Sequence, residues 1–199
     1  ESVGEKIGFS SCTLTSAFST HSLSEDLDLI LGLVAECLRH PTFPERDFNR
    51  LKMQMLTGLA IRAQDTAAMA SMLFDESVFA GHPYERPDDG YVETIQAIEQ
   101  KDLVQFYRRT FGPQGLTIAI VGAVDARKAV DAVKAALGDW ENPEQETLPT
   151  LPPLAPITQP VRKSLTIAGK SQADIVGGCQ APERLSPDYD PLRIGNNIL

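Results

Sequence analysis

Apolar residues recur with helical spacing in the longest stretch without a strong break, residues 44–84. Positions three and four apart lie on one face of a helix, so this spacing predicts an amphipathic helix with a buried face. The predicted buried stripe consists of Phe48, Leu51, Met55 and Leu59. Pro44 suits the first helical position, because its missing N–H would have no partner there. This stretch is predicted to be the central helical element of the chain.

Asp65 and Thr66 interrupt the apolar stripe. An aspartate before a helix accepts hydrogen bonds from the first backbone N–H groups, so Asp65 is predicted to cap a second helical leg. The apolar residues of that leg are Met69, Met72, Leu73 and Phe79. Gly81, His82 and Pro83 are predicted to end it, because proline interrupts a helix. The central element is therefore predicted to be bent.

Residues 7–20 alternate imperfectly between apolar and small polar side chains, which is typical of one or two β-strands. The following segment has the pattern of an amphipathic helix, with Ser22 or Ser24 as the N-cap and an end at His40 and Pro41. Its predicted buried face consists of Leu27, Ile30, Leu31, Val34 and Leu38.

An amphipathic helix is also predicted over Lys101–Arg109. Its apolar residues are Leu103, Val104 and Phe106. The unbroken apolar run Leu116–Val121 predicts a strand that is covered on both faces. Asp125 is a predicted N-cap for a helix over Ala126–Leu137. The predicted inward residues of this last helix are Ala129, Val130, Val133 and Leu137.

Six prolines lie between residues 143 and 160, which predicts a linker, because proline resists both helices and central strands. Two strands are predicted beyond it, over Val161–Ala168 and Ala173–Gly178, joined by a turn at residues 169–172. A further helix is predicted over Pro187–Leu199.

Composition narrows the class of protein. The chain has 199 residues, 42% of them hydrophobic, which is enough to bury a normal core. A net charge of −9, with Arg108 and Arg109 as the densest basic cluster, argues against a nucleic-acid partner. No apolar run approaches the ~20 residues that span a bilayer, and the first residues lack a signal-peptide pattern. We expect a soluble segment, cytoplasmic or periplasmic, with the compartment unknown.

Residues with reactive or metal-binding side chains are scattered. Cys12, Cys37 and Cys179 have no metal or redox spacing, so they are expected to be reduced and mostly buried thiols. His40 is better explained by a helix C-terminus than by a metal, whereas His82 lies in a turn where it could reach a ligand. Neither HExxH, HxxEH nor a GxSxG serine motif occurs, and a lone glycine follows the Leu116–Val121 run where a dinucleotide site needs three. No catalytic residue can be assigned.

The order of the segments is familiar. Residues 24–52, with HPTFPERDF, and residues 81–125, with GHPY and LTIAIVGAVD, resemble the M16 family of zinc metallopeptidases, the pitrilysin and mitochondrial processing peptidase group. The resemblance covers nearly the whole chain. It implies an α+β fold with an antiparallel-rich sheet packed by helices. It also implies that residues 1–140 are the later part of one M16-like domain, 141–160 a proline-rich linker, and 161–199 the opening strands and helix of a second, similar domain.

The resemblance also identifies ligands that this chain lacks. The family's HxxEH motif would precede Glu1, and its third zinc ligand, a glutamate, would fall at or beside Gly58. The residues from Met55 to Arg62 include no acid. By this resemblance the chain holds no zinc itself, so zinc is expected only in a catalytic partner or an upstream domain. Its substrate-binding residues are unknown, because the family's Arg and Tyr pair would follow Leu199.

Three functions follow from the resemblance. The first is a non-catalytic half that assists peptide binding and chamber closure in a zinc metalloendopeptidase assembly, with another M16-like domain or subunit as its partner. The second is a structural or interaction subunit of the same fold. The third is an active zinc peptidase whose ligands lie outside this chain.

Overall fold

The structure is a computed structural model that describes residues 6–147 and 149–198. It begins with an antiparallel hairpin of β1 (Lys6–Ser11) and β2 (Ser16–His21). Phe9 lies opposite Phe18, with ring centroids 6.5 Å apart. The predicted strand pair is confirmed, and it is the one sheet among the described residues.

Seven α-helices follow within the described residues. They are α1 (Leu27–Arg39), α2 (Glu45–Arg62), α3 (Thr66–Val78), α4 (Val92–Ala97), α5 (Gln100–Thr110), α6 (Ala126–Leu137) and α7 (Tyr189–Ile198). Short 3-10 turns occupy Ser24–Asp26 and Pro83–Glu85. The arrangement is α+β, and no described helix is long and apolar enough to cross a membrane.

The chain divides into two compact units, and the division falls inside α2. The first unit combines Glu1–Met55 with Glu93–Pro149, and the second combines Leu56–Val92 with Thr150–Leu199. The domains predicted from the sequence, 1–140, 141–160 and 161–199, are continuous ranges, whereas each compact unit combines two separate segments. The predicted domains stay a prediction. Residues 1–5, 148 and 199 of those ranges lie outside the described residues.

The core of the first unit forms where α1 packs against α6. Val34 is 1% exposed, because apolar side chains from the hairpin and both helices surround it. Its buried neighbours in this core are Ala35, Leu38, Leu137 and Trp140. Ile7, Phe18, Leu116 and Ile118 pack against the cluster and are partly buried. Removal of this apolar surface from water is the main force that holds the unit together.

Polar contacts close the ends of these helices. The Tyr107 hydroxyl lies 2.7 Å from the carbonyl oxygen of Leu38 and 2.9 Å from that of Arg39. It therefore provides a hydrogen-bond donor to carbonyl oxygens that have no partner within the last turn of α1. Burial raises the pKa of the Tyr107 hydroxyl. Arg39 also pairs with Asp139, at 2.7 Å between Nη1 and Oδ1. The hydrogen bond from Arg39 lowers the pKa of the Asp139 carboxyl.

In the second unit Asp65 caps α3, as predicted, because its Oδ1 accepts hydrogen bonds from the N–H groups of Ala67 and Ala68, each at 3.0 Å. Arg62 pairs with Asp89 and donates to the Gly90 carbonyl oxygen at 2.9 Å. These contacts confirm that the central stretch is two helices rather than one.

Several expectations about α1, α2, α5 and α6 are wrong. No serine caps α1, which instead begins after a 3-10 turn without a side-chain cap. On the predicted stripe of α2 only Leu59 is buried, and Leu51 is exposed. Phe106, an apolar residue of the predicted amphipathic helix α5, is 59% exposed, and Val130, predicted to face inward on α6, is 52% exposed. On α2, α5 and α6 the helical periodicity predicted an apolar face wider than the part that neighbouring elements cover.

All three cysteines are exposed, which contradicts the expectation that they are mostly buried. Their positions explain the difference. Cys12 follows the last residue of β1, Cys37 lies on the uncovered side of α1, and Cys179 lies in extended chain. The frequent burial of cysteine is a tendency of the residue type, and it does not indicate which face of an element the fold covers.

The predicted strands after the hairpin do not form ladders in the described residues. Leu116–Val121, Val161–Ala168 and Ala173–Gly178 carry no strand pairing, although a turn at residues 168–169 places Gly169 at φ +78°. Extended backbone becomes a strand only when a neighbour accepts and donates its hydrogen bonds, and none of these segments has one. The predicted last helix is confirmed as α7, although Leu199 lies outside the described residues.

Candidate functional site

The first candidate site is the part of α2 around Gly58. Gly58 is exposed, and a Cβ built on it would meet no atom within 4 Å. A Cβ therefore fits at this position without displacing a neighbour. Close packing around the Cα therefore does not account for the glycine.

The residues near Gly58 do not fit a zinc site. Zinc needs three or four nitrogen, sulfur or carboxylate ligands converging on one point. The segment Met55–Arg62 offers none, and no group of three or more His, Cys, Asp and Glu that could hold a metal occurs anywhere in residues 6–147 and 149–198. We therefore derive no zinc chemistry from this chain.

The three histidines are spread over separate elements. His21 ends β2, and His40 follows the last turn of α1, where its backbone N–H donates to the Glu36 carbonyl oxygen at 2.9 Å. His82 is 8% exposed, and its Nδ1 accepts a hydrogen bond from the Tyr84 N–H at 3.2 Å. Its ring packs 4.6 Å from the Tyr84 ring and 6.4 Å from the Phe79 ring. His82 therefore has a structural role in ending this helical region.

A second candidate site is an open groove of about 550 Å³ along α5. Val104 contributes apolar surface, Lys101 and Arg108 contribute cations, and Glu144 contributes an acid from the loop that follows α6. Such a groove offers both charged and apolar contacts to an extended ligand.

The loop of residues 142–146 is fixed against α5 by several hydrogen bonds. The Asn142 side-chain amide donates to the carbonyl oxygens of Arg108 and Phe111, at 2.8 and 2.6 Å. Arg109 forms a two-pronged ion pair with Glu146, at 2.7 and 2.9 Å. The hydrogen bond from Arg109 lowers the pKa of the Glu146 carboxyl. The groove is therefore shaped before any ligand arrives, which reduces the entropy cost of binding.

Sequence reasoning recognised Arg108 and Arg109 only as a basic pair. Their partners Asn142 and Glu146 lie more than 30 positions later, at sequence separations of 34 and 37. A local sequence pattern cannot predict contacts across such a separation. The sequence prediction that no residue of this chain is catalytic has no direct test in the geometry, and neither has the expected ligand position at Gly58.

Comparison with known proteins identifies the same family that the sequence motifs resemble. A family model described as the peptidase M16 inactive domain matches residues 97–199, slightly more than half of the chain. An uncharacterized zinc protease of Streptomyces coelicolor is 29% identical over 148 residues, which cover 74% of this chain and 31% of that protein. The non-peptidase homolog YmxG of Helicobacter pylori is 26% identical over 115 residues, which cover 58% of this chain and 27% of that protein.

A solved structure shows the same fold. The peptidase M16 inactive domain from Pseudomonas fluorescens matches with a TM-score of 0.68 at 27% identity, over 76% of this chain and 37% of that chain. The predicted resemblance and the α+β fold are confirmed by these matches. The chain spans less than one third of the length of the two curated relatives.

Proposed function

Because the chain belongs to the peptidase M16 family, in the group described as the inactive domain, we propose that it acts as a zinc-less half of a zinc metallopeptidase assembly. In this role it assists peptide binding and closes a chamber over a zinc-containing M16-like partner. Residues 1–140 supply the later part of one domain, 141–160 a linker, and 161–199 the opening of a second domain.

The acid-free stretch of α2 around Gly58 supports this proposal most. In a zinc peptidase of this family a carboxylate is expected there, and Gly58 provides none although a Cβ at this exposed position meets no neighbour. A protein that retains the fold but not the ligands can still offer surfaces to a peptide. The preformed groove along α5, with Arg108 and Val104, is the surface that we propose for peptide contact.

Zinc binding and peptide cleavage test the proposal together. We expect the chain to retain far less than one zinc per molecule after metal loading and dialysis, and to cleave no peptide alone. When the chain is added to the zinc-containing partner, the rate of peptide cleavage should rise above that of the partner alone. Stoichiometric zinc held by ordered side chains of residues 1–199 would refute the proposal.

Two variants at one position sharpen the test. Gly58→Glu introduces the expected carboxylate, and Gly58→Ala is the matched control, since a Cβ at this position meets no atom within 4 Å. In the chain alone neither variant should bind zinc, because no further ligands surround the position among the described residues. Stoichiometric zinc binding by Gly58→Glu, but not by Gly58→Ala, would contradict the interpretation that this chain lacks the remaining ligands.

A structural or interaction subunit is the second candidate function. The similarity to YmxG, a non-peptidase homolog, favours it. An active zinc peptidase with its ligands outside this chain is the third candidate, and the zinc protease of Streptomyces coelicolor favours it. The longer gene separates the three: HxxEH before Glu1 supports the peptidase, an Arg and Tyr pair after Leu199 beside a peptidase gene supports the assisting half, and neither supports the subunit.

A further inference from the structure

The groove along α5 has the opposite charge balance from the chain as a whole. The sequence has 27 acidic and 18 basic residues. The described residues that line the groove include three cations, Lys101, Arg108 and Arg109, but one acid, Glu144. A local excess of cations on an acidic protein attracts anionic groups to that surface. The groove is therefore suited to a ligand that carries carboxylates.

The three cations are not equally available to such a ligand. Arg109 is held by both carboxylate oxygens of Glu146. Lys101 pairs with Glu99, but both side chains are largely exposed, so a ligand carboxylate can replace Glu99 at little cost. The Arg108 guanidinium is exposed, and it has no ion pair or hydrogen bond in the described part of the chain. Arg108 is therefore the first cation that a carboxylate can bind, and Lys101 is the second.

Glu144 faces the groove from the loop that follows α6. Its carboxylate has no partner among the described residues, whereas its backbone N–H donates to Oδ1 of Asn142 at 3.0 Å. The side-chain amide of the next residue, Gln145, donates to the Gln114 carbonyl oxygen at 3.1 Å. These hydrogen bonds fix the loop backbone beside Glu144. A carboxylate in the groove is therefore repelled from the loop side and attracted to the α5 side.

The spacing of the groove residues on α5 restricts the ligand further. Lys101, Val104 and Arg108 lie on one stripe of the helix, at positions i, i+3 and i+7. The first and last of them are about 10 Å apart along the helix axis. Side chains on one side of an extended peptide recur about every 7 Å. An apolar peptide residue on half-buried Val104 therefore places acids two positions before and after it within reach of the long Lys101 and Arg108 side chains.

We propose, on the basis of the peptide-contact role proposed above for this groove, that it binds an extended peptide with the pattern acidic, any, apolar, any, acidic. Arg108 and Lys101 bind the two side-chain carboxylates. Val104 contacts the apolar side chain between them, and Glu144 excludes a further acid from the loop side. The groove thereby distinguishes acidic peptides from neutral and basic ones.

Fluorescence anisotropy with capped synthetic peptides that carry an uncharged dye tests the proposal. The probe is Ala-Glu-Ala-Leu-Ala-Glu-Ala, and the matched peptides have glutamine or lysine in place of both glutamates. At low ionic strength the glutamate peptide should bind on the order of 10-fold more tightly than the glutamine peptide, because hydrogen bonds from a guanidinium to a carboxylate are charge-assisted. Equal affinity for these two peptides, tighter binding of the lysine peptide, or no binding of any peptide at millimolar concentration would overturn the proposal.

Charge substitutions in the groove should change the Kd of the glutamate peptide in opposite directions. Arg108→Gln should raise it on the order of 10-fold. This variant keeps the loop in place, because Asn142 contacts the backbone of Arg108. Glu144→Gln should lower the Kd by roughly 2- to 3-fold, because it removes a repulsion. Arg127→Gln removes the same charge at an exposed position of α6 outside the groove and is the matched control. Equal effects of Arg108→Gln and Arg127→Gln, or weaker binding after Glu144→Gln, would contradict the proposal.

Peptide cleavage in the presence of the zinc-containing partner separates this proposal from the proposed function. If the chain binds the glutamate and glutamine peptides equally and accelerates the cleavage of both, the preference for acidic peptides is wrong and the assisting role stands. If the chain accelerates neither, although the glutamate peptide binds and Arg108→Gln weakens that binding, the assisting role is wrong and the acidic-peptide site stands.

Discussion

Helices α1 and α7 are both amphipathic, but the structure covers only one of them. α1 buries Ile30, Leu31, Val34, Ala35 and Leu38, because α6, the hairpin and Leu116 pack around it in the first unit. α7 buries no residue, and its Leu192, Ile194 and Ile198 are exposed. An amphipathic pattern is therefore enough to form a helix, whereas burial requires a second apolar surface.

In the second unit Leu59, Val78 and His82 are buried, and hydrogen bonds from side chains join its segments as well. Gln180 donates to the carbonyl oxygen of Ala155 at 2.7 Å and that of Val78 at 3.3 Å, and its Oε1 accepts from the Ile157 N–H. Thr66 donates to Asp174. Exposed single hydrogen bonds each contribute little to the free energy of unfolding, so no one of these contacts should decide the stability of the unit.

The largest expected effect comes from leucine truncation in the two helices. Leu38→Ala should lower the free energy of unfolding by about 2–5 kcal/mol, because it leaves a cavity in a packed core. Leu192→Ala on α7 should change it by less than about 0.5 kcal/mol, because this side chain is largely in water. Urea unfolding followed by the fluorescence of the single Trp140 measures the first, and circular dichroism measures both. Equal losses would show that α7 is packed as well as α1.

Helix caps should behave alike in both units. Asp65 caps α3 and Asp125 caps α6 with the same geometry, each accepting from two N–H groups at 3.0 Å. Asp65→Ala and Asp125→Ala should each cost about 1 kcal/mol, because capping is a local interaction. Thermal unfolding by circular dichroism measures the loss. A negligible effect of Asp65→Ala alone would mean that α3 is frayed in solution.

Two glycine-to-alanine substitutions in the second unit should change the free energy of unfolding in opposite directions. Gly58→Ala should stabilise α2 by about 0.5–1 kcal/mol, since alanine favours helix and its Cβ meets no neighbour. Gly81→Ala should destabilise the turn after α3 by about 1 kcal/mol, because Gly81 has φ +78°. Chemical denaturation of both variants gives the two signs. A destabilising Gly58→Ala would reveal a close contact at that position.

The smallest expected effect is a dependence on acid pH. Asp139 has a folded pKa below its ordinary value of 3.8, so the Arg39 pair stabilises above that value and is lost as pH falls through the folded pKa. The wild type should therefore lose slightly more stability than Asp139→Asn between about pH 5 and about pH 3. Asp131→Asn removes the same charge at another exposed position, on α6, and is the matched control. Identical profiles for all three proteins would mean that solvent screens the pair completely.

Local patterns predicted the helices well and the contacts poorly. The bounds of α6 and the cap at Asp65 follow from residues next to one another in the chain, so both were predictable. The shape of the groove along α5 depends on contacts of Asn142 with Arg108 and of Glu146 with Arg109. A local sequence pattern cannot predict such contacts between distant residues. The position of Gly58 was informative only through family resemblance.

The sequence by itself determined where helices form, where they end and which family the chain resembles, because caps, prolines and apolar spacing act over a few residues. Only the tertiary structure decided that α1 is covered while α7 is exposed, and that Leu116–Val121 has one face on a core and one in water. The physical reason is that burial and strand pairing are relations between distant segments. An apolar pattern indicates that one face of an element is suited to burial. Whether another segment of the chain covers that face depends on the tertiary structure.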